Sequence, residues 1–143
     1  MTPMLTQDAE LRDLLRRTRT IAVLGIKTKA QAGQPAYNVP EYMQSVGYRI
    51  VPVPVYYPEA TEILGEPVVR DLTAVEPDMV NVFRKPSDLM AHLPALLQLH
   101  PKSVWLQRGI HSAELERALE DAGIAVVSDK CIMVEHARLV GAG

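Results

Sequence analysis

Ile21-Ala22-Val23-Leu24-Gly25-Ile26-Lys27-Thr28-Lys29 is the stretch that decides the fold. An apolar, β-rich run that stops at a glycine and turns into a basic polar loop opens a βα unit, and Tyr37-Asn38-Val39-Pro40-Glu41-Tyr42-Met43 supplies the helix that must follow. The loop from Gly25 to Ala36 therefore lies at the carboxyl end of a strand and the amino end of a helix. The crevice of an open α/β sheet and the helix dipole both favour anions there. The glycine pattern itself is partial, because Gly25 is followed by no glycine until Gly33, where G-x-G-x-x-G would set three close together. Lys27 and Lys29 offset this in part, since they can neutralise charge that a tight glycine turn would hold with backbone N–H groups. The competing reading is an ordinary surface βα loop.

Composition narrows the classes. A chain of 143 residues suits one domain, 1–143, and such a chain buries about two thirds of its unfolded surface. With 48% hydrophobic and 22% charged residues the balance is that of a globular protein, and no apolar run approaches the ~20 residues that span a bilayer, so no membrane partner is expected. Met1-Thr2-Pro3-Met4-Leu5-Thr6-Gln7-Asp8 lacks the basic and apolar regions of a secretory signal, and the expected location is cytoplasmic. The single cysteine, Cys131, has no disulfide partner and no company for a Cys-rich zinc site, and His92, His100, His111 and His136 show no ligand spacing, so no metal is expected. A net charge of −2 excludes nucleic acid as the expected partner. Any anion site must be local.

Along the chain, Thr6 is the candidate cap of a first helix with Asp8 and Glu10 in its first turn and Arg16, Arg17 and Arg19 near its end. Gly47 closes the second helix, and Tyr48-Arg49-Ile50-Val51-Pro52-Val53 is the second strand. A dinucleotide domain usually sets an acid at the end of that strand for the ribose hydroxyls, but here Pro52-Val53-Pro54-Val55-Tyr56-Tyr57 carries none before Glu59. That apolar ledge suits a flat base better than a diol; alternatively the prolines merely end an edge strand. Met79 to Phe83 is a buried strand running into Arg84-Lys85-Pro86-Ser87-Asp88. Pro94 interrupts the helical stripe of Leu89, Leu93, Leu96 and Leu97, so a break or a new start is expected there. Ser103 to Gln107 is the next strand, Ser112 caps the helix that follows, and Ile124 to Ser128 is the last strand before Asp129-Lys130-Cys131. Strands alternating with helices imply an α/β, Rossmann-like three-layer domain with a mostly parallel sheet.

Three blocks stand together: the loop at Gly25, Val82-Phe83-Arg84-Lys85-Pro86, and Val104-Trp105-Leu106-Gln107-Arg108-Gly109 with Asp129-Lys130-Cys131-Ile132-Met133-Val134-Glu135-His136. From about Thr18 to Leu139 the chain resembles the small single-domain CoA-binding proteins of bacteria and archaea, which are similar to the CoA-binding domain of the succinyl-CoA synthetase α subunit. The resemblance implies a nucleotide-binding Rossmann fold holding coenzyme A. Gly25, Ile26, Lys27, Thr28 and Lys29 would meet its pyrophosphate or 3′-phosphate, with Tyr37 beside that loop. Pro52 and Val53 would pack on adenine, Phe83 and Arg84 would line the cleft, and Gln107 and Gly109 would approach the pantetheine arm. Two departures bear on affinity rather than fold: members often read Pro-Val-Asn-Pro where this chain has Pro52-Val53-Pro54-Val55, and carry a serine where it has Ala36.

The expected function is binding of coenzyme A or an acyl-CoA without catalysis of its own, as a carrier, a sensor or a partner subunit. A protein partner or a homo-oligomer is compatible with that role. The alternative is an NAD(P)-dependent oxidoreductase or the partner subunit of an acyl-CoA ligase. Neither a Walker loop nor a Gly-x-Ser-x-Gly elbow is present, and the synthetase's phosphohistidine belongs to a second domain that the resemblance does not cover. Cys131 with His136 makes a poor nucleophile and base, because five residues on a helix point them to different faces. A structural thiol is the plainer reading, and disulfide exchange with the CoA thiol the sharper one. Trp105, inside a strand, reads as core.

Overall fold

The computed structural model describes residues 4–141; residues 1–3 and 142–143 of the expected 1–143 domain lie outside the described residues. In chain order the elements are α1 (Asp8–Arg17), β1 (Thr20–Leu24), α2 (Pro35–Ser45), β2 (Arg49–Val53), β3 (Glu62–Ile63), β4 (Glu66–Pro67), β5 (Met79–Val82), α3 (Leu93–Leu99), β6 (Ser103–Leu106), α4 (Ala113–Asp121), β7 (Ala125–Val127) and α5 (Ile132–Leu139). Five strands form a parallel sheet in the order β2-β1-β5-β6-β7, and β3 pairs with β4 in a separate antiparallel hairpin. Among the described residues no helix is long and apolar enough to cross a membrane.

The strands read as mostly apolar runs because both faces of the sheet are covered. Successive residues alternate between two cores. Ile21, Val23, Ile50, Met79, Trp105 and Val127 meet Leu11, Leu14 and Leu15 of α1, Val39 and Met43 of α2, and Ile132 of α5. Ala22, Leu24, Val80, Val82, Val104, Leu106 and Val126 meet Leu89, Leu96, Leu115 and Leu119 on the other side. Trp105 is fully buried and donates its Nε1–H to the Lys130 carbonyl (2.8 Å), as its place in a strand implied.

The strand order makes β1 and β5 neighbours although the chain leaves them in opposite directions. After β1 it passes to the α2 face, while after β5 it passes to the face that carries Leu89 and α3. A crevice opens between the two carboxyl ends, at the topological switch point where open α/β sheets hold their ligands. Gly25 closes its floor. Its N–H extends the ladder to Val53 O (2.9 Å), Phe83 N–H does the same to Leu24 O (2.9 Å), and a Cβ on Gly25 would stand 2.3 Å from the Phe83 carbonyl oxygen. With φ at +88° the position excludes a side chain on two independent grounds.

Two prolines have specific uses. Pro40 lies inside α2 and cannot bond the Ala36 carbonyl one turn back; that carbonyl instead accepts the Lys27 N–H (3.1 Å), so the helix interruption ties down the loop after β1. Pro52 lies on β2, the edge strand. Arg49 N–H and Val53 O point inward to β1, so Pro52 faces the open edge, where its carbonyl accepts the Val69 N–H (2.9 Å) beside the β3–β4 hairpin.

Capping differs from the sequence reading in one place. Gln7 rather than Thr6 caps α1, because the Glu10 carboxylate reaches back to accept the Gln7 N–H (3.1 Å). Ser112 caps α4 as its position predicts, its Oγ accepting the Leu115 N–H (3.2 Å). At Pro94 the stripe does break: Pro86–His92 is a 3₁₀ segment and α3 starts at Leu93 with proline in its first turn.

The Gly25 contact yields a test. Gly25→Ala combines about 1–2 kcal/mol for a left-handed L-residue with about 1–3 kcal/mol for overpacking against a fixed backbone oxygen. A lower urea midpoint with an unchanged slope is expected, and an unchanged midpoint would contradict this packing.

Candidate functional site

Two cavities share the crevice. One, of about 450 Å³, is lined by Lys27, Gln34, Pro35, Ala36, Phe83, Arg84, Lys85, Pro86, Gln107, Arg108, Ile110 and Cys131. The other, of about 320 Å³, is lined by Gly25, Ile26, Lys27, Val55, Tyr56, Tyr57, Phe83, Arg84, Lys85 and Asp88. Lys27, Phe83, Arg84 and Lys85 belong to both, so the two form one elongated groove with a cationic waist. Against Lys27, Arg84, Lys85 and Arg108 the lining sets a single carboxylate, Asp88. A chain of net charge −2 thus concentrates positive charge at the switch point.

The waist is positioned from below. Arg84 is held on one side by Asp88 (Nη2 to Oδ2, 3.5 Å) and on the other by His92, whose Nε2 accepts the Arg84 Nε–H (3.2 Å). Lys27 is fixed at its backbone by Ala36 and at its Nζ by donation to Gln34 Oε1. Thr28 donates both its N–H (3.1 Å) and its hydroxyl (2.6 Å) to Gln31 Oε1, which winds the following residues, Lys29–Gln31, into a 3₁₀ turn.

The floor of the larger cavity is a buried polar network. Gln107 is 4% exposed, and its Oε1 accepts from Asn81 Nδ2 (3.2 Å) and from the Ile132 N–H (3.0 Å), which satisfies the first turn of α5. Donation by a backbone N–H fixes which end of the amide is oxygen, and no hydrogen bond among the described residues uses Gln107 Nε2. Cys131, at the N-cap of α5, is 9% exposed and lies on the same wall. The rim is laced to β7: Gly109 donates its N–H to Asp129 Oδ1 (2.6 Å), and Glu116 Oε2 accepts from Ser112 N–H (2.8 Å) and Ser128 Oγ (3.0 Å). His111 Nδ1 sits 2.8 Å from the same Glu116 oxygen, and its nearest approach to Ser128 Oγ uses that same nitrogen. A nucleophile relay needs the two ring nitrogens in separate roles, so this cluster fastens the rim rather than activating a serine.

Of the residues singled out from the sequence, the structure brings Gly25, Ile26, Lys27, Phe83, Arg84 and Gln107 to the groove. It does not bring the others there. Lys29 is exposed in the 3₁₀ turn of the loop, Tyr37 in the first turn of α2 is buried in the core, and the Gly109 amide is occupied by Asp129. Pro52 lies along a separate edge groove of about 440 Å³ with Thr20, Arg49 and Glu66, and Val53 is buried in the sheet core. The apolar wall beyond β2 is Val55, Tyr56 and Tyr57 instead. His136 is far from any role with Cys131: it is buried, its Nδ1 3.0 Å from the Tyr42 hydroxyl, with the Tyr42 and Tyr48 rings edge-on at 5.6 Å. Among the described residues no group of three or more His, Cys, Asp or Glu is placed to hold a metal ion.

Two histidines link the fold to pH. Burial, and then the charge of Arg84, hold the pKa of His92 below 6.5, and burial does the same for His136. Below 6.5 the unfolded chain therefore binds more protons than the native one, so stability is complete above that value and falls as pH drops through it. Carboxylates held low, such as Asp71 beside the Thr73 hydroxyl and amide, act in a separate window below 3.8. Urea midpoints measured from pH 7.5 down to 5 should decline for the native chain and flatten in His92→Gln with His136→Gln; a flat native profile would contradict the assignment.

Comparison with known proteins agrees with this architecture. The family model for a CoA binding domain matches residues 19–137. The uncharacterized protein YneT of Bacillus subtilis (strain 168) is 33% identical over 131 residues, covering 90% of this chain and 93% of YneT. Among solved structures, the cell-free ID.343 protein of Thermus thermophilus superposes with a TM-score of 0.84 at 46% identity, covering 94% of this chain and 99% of that one. A hypothetical protein from Pyrococcus horikoshii OT3 superposes with a TM-score of 0.85 at 28% identity, covering 99% of each chain. With a parallel sheet of this order, a cationic crevice at its switch point and a family match over most of its length, the chain belongs to the CoA-binding domain family.

Proposed function

We propose that this protein binds coenzyme A or an acyl-CoA along the two-lobed groove, across the carboxyl ends of β1, β5 and β6, as a carrier, sensor or partner subunit without catalysis of its own. The observation that carries the reading is the cationic waist: Lys27, Arg84 and Lys85 line both lobes, so an elongated ligand with phosphates in its middle places them against fixed positive charge. The larger lobe, with Phe83, Ala36, Ile110 and the free Gln107 amide, suits a pantetheine arm, which is mostly apolar and carries amide carbonyls. Its thiol end would lie toward Cys131. Nothing at the end of β2 competes for a ribose diol, because the chain there reads Val53-Pro54-Val55. That supports coenzyme A over a nicotinamide dinucleotide.

Isothermal titration with CoA, acetyl-CoA, NAD, NADP and ATP tests this. Micromolar CoA binding is expected, with NAD weaker by tenfold or more. Removing one charge-assisted contact costs roughly 1.5–3 kcal/mol, so Lys27→Ala and Arg84→Ala should each weaken CoA about 10- to 150-fold. No CoA binding, or NAD binding more tightly, would overturn the proposal.

A further inference from the structure

The wall of the smaller lobe is built at a cost that packing alone does not explain. Tyr56 is 72% exposed, more than Val55, Leu97 or Val134, the other large apolar side chains among the described residues that face solvent. Its ring meets Tyr57 edge-on, with centroids 5.1 Å apart at 73°. Tyr57 adopts φ +63°, a left-handed backbone that a bulky aromatic residue rarely takes. Such a conformation persists only where neighbours over-determine it, and Arg70 does so here. Its guanidinium donates to the carbonyls of Tyr56 (2.9 Å), Tyr57 (2.6 Å) and Ala60 (3.1 Å), spending its donors on the shape of one loop. Proline brackets the pair on both sides, at Pro54 and Pro58. An aromatic pair fixed in a strained loop, left open to solvent and facing a cavity lined by Lys27, Arg84 and Lys85, has the chemistry of a stacking platform for the base of a phosphorylated nucleoside.

We infer that Tyr56 is the base-stacking and specificity-determining residue of this groove, and that Arg70 is a positioning residue acting through it. The inference rests on the proposed CoA-binding reading and deepens it: the flat end of the ligand lies on Tyr56, three residues beyond the Pro52-Val53 ledge. Pre-setting the ring in the free protein removes an ordering cost from binding, which gives the strain a use.

The test splits the ligand. CoA, adenosine 3′,5′-bisphosphate, which keeps the base, and 4′-phosphopantetheine, which lacks it, are titrated into wild type, Tyr56→Ala, Tyr56→Phe, Arg70→Gln and the Tyr56→Ala/Arg70→Gln double variant. Loss of one base-stacking ring corresponds to roughly 5- to 150-fold, so Tyr56→Ala should lose that factor for CoA and for the bisphosphate while 4′-phosphopantetheine is unchanged. Tyr56→Phe keeps the ring and should bind as wild type does. If Arg70 acts through Tyr56, Arg70→Gln weakens the same two ligands and the double variant is no weaker than Tyr56→Ala alone. A Tyr56→Ala variant that binds CoA as wild type does, or that loses 4′-phosphopantetheine equally, overturns the inference and leaves the CoA-binding reading standing. A wild type that binds no CoA overturns the reading and the inference together. Additive losses in the double variant would make Arg70 a structural residue.

Discussion

The contact between Gly25 and the carbonyl of Phe83 is the constraint on which the rest depends. It joins the ends of β1 and β5 so closely that no side chain fits between them, at the point where the chain departs to opposite faces of the sheet. If those ends stood further apart, Lys27 and Arg84 would no longer border one groove, and the crevice would divide. The glycine thus acts through geometry: with no Cβ, it lets the two strand ends meet.

Electrostatics then builds on that geometry. The chain as a whole is slightly acidic, so long-range attraction for a polyanion is absent and the positive charge is confined to a few cations lining the crevice. Arg84 is the most constrained of them, suspended between a carboxylate and a neutral imidazole. Lys27 owes its place to an absent hydrogen bond: because Pro40 cannot donate, the Ala36 carbonyl is available to the loop. A proline inside a helix, ordinarily a defect, here fixes the position of a charge.

The sheet and the placement of the first loop were legible because runs such as Met79 to Val82 and Val104 to Leu106 are buried on both faces, and such burial leaves an unmistakable apolar signature. Lys27, Phe83 and Arg84 followed from strand ends alone. Gln107 was half legible: it shares the parity of Trp105 and so faces α5, which predicts the inward hydrogen bond, although the bond to Ile132 depends on where α5 starts. Pro52 and Val53, the ledge expected after β2, lie away from the groove, and the apolar wall of the smaller lobe is Val55, Tyr56 and Tyr57 instead. That wall includes the left-handed Tyr57, stapled by Arg70 from beyond the hairpin, a long-range cause that no local pattern carries. The cap at Gln7 escaped for a smaller reason: a glutamate one turn on did the work expected of the Thr6 hydroxyl.

The decisive measurement is a crystal structure of the protein grown with CoA. One ligand is expected to span both lobes, its phosphates between Lys27 and Arg84, its base on the Tyr56 wall and its thiol arm beside Gln107 and Cys131. Density for CoA in the edge groove beside Pro52, or a ligand that reaches only one lobe, would contradict it.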